Sequence, residues 1–595
     1  MDTENPAMSF ERSFRKKVEG IYEELGMDQK PIIQRPRTAH ADLCLVTFPV
    51  AKARRVSPEE LTREIRDMLE RDDRWSLSVS GGYLNCNFNT STFIDQGCRH
   101  MDSDLEGFGR GAGKGNRIIV EHTSANPNGP FHVGRARNPI IGDTLVKLLR
   151  FTGYDVAAQY WVNDMGKQVM ILVWGLKNID EDDLPVPGRK KSDHELVRFY
   201  QEANARLESD PSVEKMINDV LKRYEEAVAQ GDWSRRISAE DAVEIRAEDV
   251  KNACKRVLDG MTSSLSCMNV VLDEFIYESR VVEDGSLQKV VDDLKKSPLC
   301  REEDGAFYLD LSEEIRGGDD DKFKRRFVFT RSDGSALYTT RDLAYHKWKM
   351  DRCDAAIDVL GEDHKYQSRM LSLALRELGS ERFPEVVFYS FVSLPHGKMS
   401  TRRNRVVFLD DLLEEAVNRA REEVEKRRDD LSSEELDRIS EIVGIGALRF
   451  NMIKVQPEKK MVFKWEEALN FDGSSAPFVL YSYARASSIL RKLPEGDHET
   501  KDWSKLIEPS EATLVKALLE FPKVMEKAAD ERKVHLVPQY LVELASAFNE
   551  FYRDCPVISD SDTGRRGARV FLVKALKDVL KKGLSVIGVE APEHM

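Results

Sequence analysis

A short apolar run, Ile118-Ile119-Val120, leads through the turn-rich segment Ser124–Pro130 into helix-spaced apolar positions at Ile140, Ile141, Leu145, Leu148 and Leu149. Gly153 then supplies the residue type that ends a helix, and Tyr154 to Val162 returns to strand character. Antiparallel strands need only a tight turn between them, so a whole helix between two strands points to a parallel crossover. The chain is therefore expected to build a doubly wound, mostly parallel α/β sheet opening near residue 113.

The rest of the chain is arranged around that unit. Residues 1–112 read as a small α+β domain. Ser57-Pro58-Glu59-Glu60 has the cap, first-turn proline and reciprocal glutamate of a helix start. Trp75 to Phe88 alternates as two strands about Gly81-Gly82, and the glycine-rich stretch 107–115 reads as a linker. Residues 113–410 form the sheet domain, with the first helix expected from Val133 and a charged helical insertion at about 180–300. Strand character resumes at Phe307-Tyr308-Leu309, Phe327-Val328-Phe329, Ala356–Leu360 and Val386–Phe391. Beyond it the pattern is helical, giving a connection at 411–470 and an all-α bundle at 471–595.

Composition narrows the class. No apolar run approaches the roughly 18 residues of a membrane span, and the start Met1-Asp2-Thr3-Glu4-Asn5 lacks the features of a secretion signal. A cytoplasmic protein with no membrane partner is expected. None of the 8 cysteines forms a C-x-x-C pair, which argues against a disulfide framework or a structural metal. The net charge of −14 advertises no nucleic-acid binding, yet a local basic surface suffices for phosphate contacts.

Two elements carry phosphate chemistry. His132-Val133-Gly134-Arg135 stands at the mouth of the first helix, where unpaired N–H groups suit a polyphosphate. Gly134 lets a flat base approach the backbone, and His132 can donate to a phosphate whose charge grows in the transition state. Far along the chain, Lys398-Met399-Ser400-Thr401-Arg402-Arg403 lies in a run from Gly397 to Arg405 rich in cations and free of acids. Such a loop is suited to neutralising the β- and γ-phosphates of ATP.

Together these elements resemble the HIGH and KMSKS signatures of class I aminoacyl-tRNA synthetases. The detail is similar to the arginyl-tRNA synthetase family. Glu121–Pro127, Trp161–Gln168, Phe329–Gly334, Tyr338–Asp342, Tyr481–Ala486, Ala545–Pro556 and Gly588–Glu593 all share that likeness, in order, over nearly the whole chain.

The resemblance implies ATP-dependent ligation of L-arginine to tRNA(Arg) through an arginyl-adenylate, with release of AMP and pyrophosphate, and activation that requires bound tRNA. Tyr338 and Asp342 lie four apart on one helix face, and Asp342 suits two parallel hydrogen bonds from a guanidinium. Glu278 resembles a second guanidinium carboxylate. Glu121, Ser124, Asn126 and Gln367 complete the implied arginine site. For ATP the implied residues are Asn126, Pro127, His132, Gly134, Arg135, Lys398, Met399 and Ser400, with Gly361, Asp363 and His364 as a ribose-binding turn at a strand end. His132, Gly134, Lys398, Ser400 and Arg402 are the implied catalytic set.

The sequence departs from the usual signatures at two places. Arg135 stands where many relatives have a second histidine, and Thr401 where many have a second lysine. Which of Lys398, Arg402 and Arg403 neutralises phosphate stays open. Mg2+ is expected to arrive with ATP rather than in a protein cage. The helical bundle is implied to bind the anticodon and the N-terminal domain the outer corner of the tRNA, with Tyr481, Tyr483, Phe548, Phe551 and Tyr552 as candidate base-stacking aromatics. A monomer is expected.

Overall fold

The computed structural model describes residues 5–34, 36, 41–69, 72, 74–314, 325–393, 407–494 and 500–595. The N-terminal domain is an antiparallel sheet of β1 (Ile32–Gln34), β2 (Leu43–Val46), β3 (Trp75–Ser80) and β4 (Tyr83–Phe88) in the order β1-β2-β4-β3. Its helix Pro58–Met68 starts where Ser57 Oγ accepts from Glu60 N–H, and β3 and β4 turn at Gly81 with φ +58°. The domain docks on the far end of the chain: Asn5 Nδ2 donates to Leu519 O at 2.8 Å, and Lys516 Nζ lies 2.5 Å from Asp42.

The main sheet opens with β5 (Arg117–Glu121) and β6 (Asp155–Val162), joined by the helix Arg137–Phe151. That helix begins later than the expected Val133. Val133–Arg135 is a single 3-10 turn, because His132 caps Gly134 through its own ring before the regular helix can start. Gly153 ends the helix at φ +91°, and a Cβ there would fall 2.0 Å from the Ala112 carbonyl. The linker thus crosses where only glycine fits.

After the helix Lys167–Asn178, the insertion supplies the helices Ser192–Ser209, Pro211–Ala229 and Ala247–Cys267. It does not run unbroken to residue 300, for β7 (Glu274–Tyr277) returns to the sheet beside β6. Four residues at a half-buried sheet edge are too few to show periodicity, which hid this strand in the sequence. The expected strands near 307 and 327 also depart from expectation. β8 (Cys300–Glu303), β9 (Ala306–Asp310) and β10 (Arg326–Val328) make a separate antiparallel sheet.

The next two strands, β11 (Ala355–Gly361) and β12 (Glu385–Tyr389), do join the parallel sheet. Its order is β12-β11-β5-β6-β7, with every neighbouring pair parallel. This is the doubly wound, Rossmann-like arrangement, and its connections reverse direction between β5 and β11. Ligands bind beyond the strand carboxyl ends at such a reversal.

From Leu409 the chain is helical. Leu409–Glu425 and Ser433–Ile453 form a hairpin, the second helix opening with the reciprocal Ser432–Glu435 box. The bundle follows with Ala476–Arg491, Pro509–Leu519, Phe521–Asp530, Leu536–Asp554 and Thr563–Val586. Two buried arginines tie the sheet domain, the hairpin and the bundle together. Arg137 donates to the carbonyls of Ser390, Met452, Val455, Gln456, Pro457 and Lys459. Arg449 Nη2 lies 2.5 Å from Asp143 and its Nε donates to Ile587 O at 2.7 Å.

Candidate active site

Beyond the carboxyl ends of β5 and β11 lies a cleft of about 300 Å³. The helix Tyr338–Met350 forms one wall and presents Tyr338, Asp342, His346 and Lys349 along one face, as spacings of four and three dictate.

Beneath the cleft the charges interlock. Lys349 Nζ, fully buried, lies 2.8 Å from Glu121 Oε2 and 2.6 Å from Asp358 Oδ1. His346 Nε2 lies 3.0 Å from the other Asp358 oxygen, and its Nδ1 lies 3.2 Å from Asp342 Oδ1. Burial alone would raise the Asp358 carboxyl, but Lys349 and then His346 hold it well below the usual range. Burial and Lys349 oppose protonation of His346, yet Asp342 and Asp358 push it up to about 10. Glu121, His346 and Asp358 are close enough to hold a metal ion. The Lys349 ammonium already serves that place as the central cation.

Glu278 opens the helix Glu278–Glu283 and lines the same cleft. One carboxylate oxygen accepts from Arg341, while Oε2 is buried with no hydrogen-bond partner among the described residues. Burial pushes its carboxyl up to about 7 against the pull of Arg341.

The turn after β5 is strained. Thr123 has φ +75° and Ser124 φ +30°, and Ser124 N–H closes back on His122 O at 3.0 Å. A β-branched residue at such a φ is a rare, costly γ-turn. It is held by Asn138 Oδ1, which accepts Thr123 N–H at 2.6 Å, and by the His122–Thr123 side-chain bond of 2.8 Å. The result aims Ser124 Oγ at Glu121 Oε1, 3.1 Å away. Nothing in the residue types announces this turn, since neither threonine nor serine favours it.

Of the residues expected to bind arginine, Glu121, Ser124, Glu278, Tyr338, Asp342 and Gln367 all line this cleft. Asn126 does not. It lines an adjoining pocket that shares Asn163 and Tyr338 as a wall, and its Nδ2 donates to Gln168 Oε1 at 2.8 Å. The turn Ser124–Pro130 carries it past the cleft before the chain folds back to His132. Of the residues expected at ATP, Arg135, Gly361, Asp363 and His364 line the cleft, whereas Pro127, His132 and Gly134 do not. His132 Nδ1 accepts from Gly134 N–H at 3.1 Å, which leaves Nε2–H as the donor. Burial, then Arg135, lowers its pKa, so the ring is neutral near pH 7. Lys398, Met399, Ser400, Thr401, Arg402 and Arg403 lie outside the described residues. The sequence had not revealed His346, Lys349, Asp358 or Arg341, though the first two continue the spacing set by Tyr338 and Asp342.

In the C-terminal bundle the five candidate aromatics divide. Tyr483, Phe548 and Phe551 are core. Tyr481 and Tyr552 are exposed and flank Arg485, whose guanidinium carbon lies 4.6 Å from each ring centre. Beside them is a hollow of about 300 Å³ reaching Lys492 and Ser559.

Comparison with known proteins agrees with this geometry. The model of tRNA synthetases class I (R), catalytic domain, matches residues 103–465, and that of the DALR anticodon binding domain matches 479–595. An arginine–tRNA ligase of Methanocella arvoryzae is 43% identical over 558 residues, 93% of this chain and 94% of its own. One from Methanococcus aeolicus is 36% identical, covering 98% of both. The Thermus thermophilus arginyl-tRNA synthetase structure superposes with a TM-score of 0.79 at 28% identity, over 98% of this chain and 100% of that one.

Proposed function

The chain belongs to the arginyl-tRNA synthetases of class I and so ligates L-arginine to tRNA by way of an adenylate; from that premise we propose which of its residues do the work. The orphan Glu278 Oε2 carries the reading: a buried acceptor without a donor costs about 1–3 kcal/mol, more when charged, and a guanidinium supplies the missing N–H. Asp342, lining the same cleft, receives two parallel hydrogen bonds from it.

The charge balance fits the same ligand. In the floor Glu121, Asp342 and Asp358 face Lys349 and protonated His346, and beside them the single Arg341 guanidinium answers both Glu278 and Glu225, so the carboxylates outnumber the cations. Free arginine carries one net positive charge. Asn126 acts at the amino-acid main-chain end through the wall it shares with Asn163 and Tyr338, and Gln367 closes the opposite side.

ATP lies along the strand ends, its ribose at Gly361, Asp363 and His364. Arg135 and the Nε2–H of His132 face the phosphates, with Lys398, Ser400 and Arg402 supplying charge from the basic stretch. Magnesium enters with ATP as part of the substrate. The arginine carboxylate attacks the α-phosphorus in line, forming the acyl-phosphate bond as the bond to pyrophosphate breaks. A terminal ribose hydroxyl of the tRNA then attacks the acyl carbon and AMP leaves. The carboxylate is already a nucleophile, so the protein supplies position and electrostatics.

Domains 1–112, 113–410, 411–470 and 471–595 serve tRNA corner, chemistry, connection and anticodon in turn. We read the enzyme as a cytoplasmic monomer; no helix among the described residues is long and apolar enough to cross a membrane. ATP–pyrophosphate exchange tests the reading, each amino acid being offered with and without tRNA. Exchange supported by arginine alone among them, and only with tRNA, is expected; equal exchange with lysine would overturn the pocket assignment.

A further inference from the structure

The segment that follows the basic stretch is fastened twice. Val133 N–H donates to Val407 O at 3.1 Å and Leu409 N–H to Phe131 O at 2.8 Å, which sets Phe408 opposite His132 in an antiparallel bridge. Next comes Asp410, in the first turn of the helix Leu409–Glu425. Its carboxylate accepts from Lys191 Nζ at 2.9 and 3.0 Å, from His194 Nε2 at 2.8 Å and from Ser264 Oγ at 2.8 Å. All three donors stand on the helical insertion. The His194 ring also packs edge-on against Phe408, with centres 5.1 Å apart.

This is no exposed ion pair of negligible worth. The Asp410 side chain is 11% exposed and that of His194 is 5%. Burial would raise the Asp410 carboxyl, but His194 and Lys191 hold it well below its usual range. Asp193, His194 and Asp410 are spaced for a metal ion, yet Lys191 Nζ lies 3.2 Å from Asp193 and 2.9 Å from Asp410, so the chain provides its own cation. Buried charge clusters add little net stability, and their best-attested use is to fix one register. Here the thing registered is Phe408, and with it the backbone of His132.

We propose that Asp410, together with Lys191, His194 and Ser264, is a positioning residue for His132, acting through Phe408 and its bridge. The inference rests on the phosphate-facing role given to His132 above. A double-substitution cycle in the full-length enzyme tests it, read by arginine- and tRNA-dependent ATP–pyrophosphate exchange. Asp410→Asn keeps the shape and removes the charge. It is expected to lower kcat about tenfold, as misplacement of a reacting group does, with the arginine KM within about twofold. In a His132→Ala background the same change is expected to cost less than about twofold, because groups acting as a unit are not additive. Equal losses in both backgrounds, or none in either, overturn the proposal. Should Asp410→Asn fail to fold, Ser264→Ala runs through the same cycle with the same expected non-additivity. A near-normal rate for His132→Ala alone removes the phosphate role and this proposal with it. A slow His132→Ala with additive Asp410→Asn removes the proposal only.

Discussion

Glu278, which lines the cleft, gives one oxygen to Arg341 and keeps the other buried and, among the described residues, unpaired. With arginine absent, its carboxyl sits at about 7, raised by burial. A guanidinium binds the ionised form, so binding must release a proton wherever the free site is protonated. The arginine KM is therefore expected to be flat above about pH 7 and to rise below it, approaching tenfold per pH unit. Exchange kinetics from pH 5.5 to 8.5 check this. Glu278→Gln, which cannot titrate, should raise KM and flatten the profile; a wild-type KM constant down to pH 5.5 would contradict the assignment.

Asp342 also lines the cleft and is steadied by His346 at 3.2 Å. Asp342→Asn removes the charge facing a desolvated cation. The expected cost is about 2–5 kcal/mol in arginine binding, seen as a higher KM. Calorimetry with arginine gives the same quantity directly. An unchanged KM would place the guanidinium elsewhere.

Lys349 is the structural centre of the floor. Lys349→Met leaves Glu121 and Asp358 buried without their shared cation, which should destabilise the catalytic domain by about 3–5 kcal/mol. Urea titration followed by tryptophan fluorescence reads the loss. His346 contributes in the opposite sense of pH to a paired carboxylate. As a histidine raised to about 10, its stabilisation is complete below about 6.5 and is lost as pH climbs through 10. The floor should thus hold its charge across pH 6–9, leaving Glu278 as the group that shapes the KM profile there.

The sequence made the parallel core legible because β5 and β11 are buried on both faces and read as apolar runs, Ile118-Ile119-Val120 and an Ile357–Leu360 interrupted by Asp358. It concealed β7, whose Glu274-Phe275-Ile276-Tyr277 is an edge strand stabilised by pairing with β6 rather than by its own pattern. Asp342 and Tyr338 were singled out by the family resemblance, and helical spacing accounts for their sharing a face. The salt-bridged floor was not, since Glu121, Lys349 and Asp358 come from three elements that only the tertiary fold brings together. That Asn126 stands beside the cleft rather than in it was hidden for a related reason: the positive-φ turn at Thr123 and Ser124 redirects the chain, and no residue type there advertises it.

His132 is expected to act in the transition state. Its ring is neutral, with Nδ1 committed to Gly134 N–H and Nε2–H left to donate. His132→Ala should lower kcat by about 10²–10³ with little change in the arginine KM, as removal of one transition-state donor does. Single-turnover adenylate formation separates this from slow product release.

The bundle offers a test that leaves the chemistry alone. Tyr481 and Tyr552 present exposed rings on either side of Arg485, and Arg485 Nη1 is fixed by Asn549 at 3.1 Å. A base inserted beside such a platform gains about 1–3 kcal/mol from stacking. Tyr552→Ala is therefore expected to raise the KM for tRNA about fivefold to a hundredfold on that scale, leaving the arginine KM unaltered. Tyr483→Ala differs in kind: that ring is buried and its hydroxyl bonds Glu593 at 2.9 Å, so its loss should appear as a lower melting temperature. Aminoacylation measured against tRNA concentration, beside thermal melts of both variants, separates recognition from packing. Equal tRNA KM values for Tyr552→Ala and wild type would move anticodon recognition off this face of the bundle.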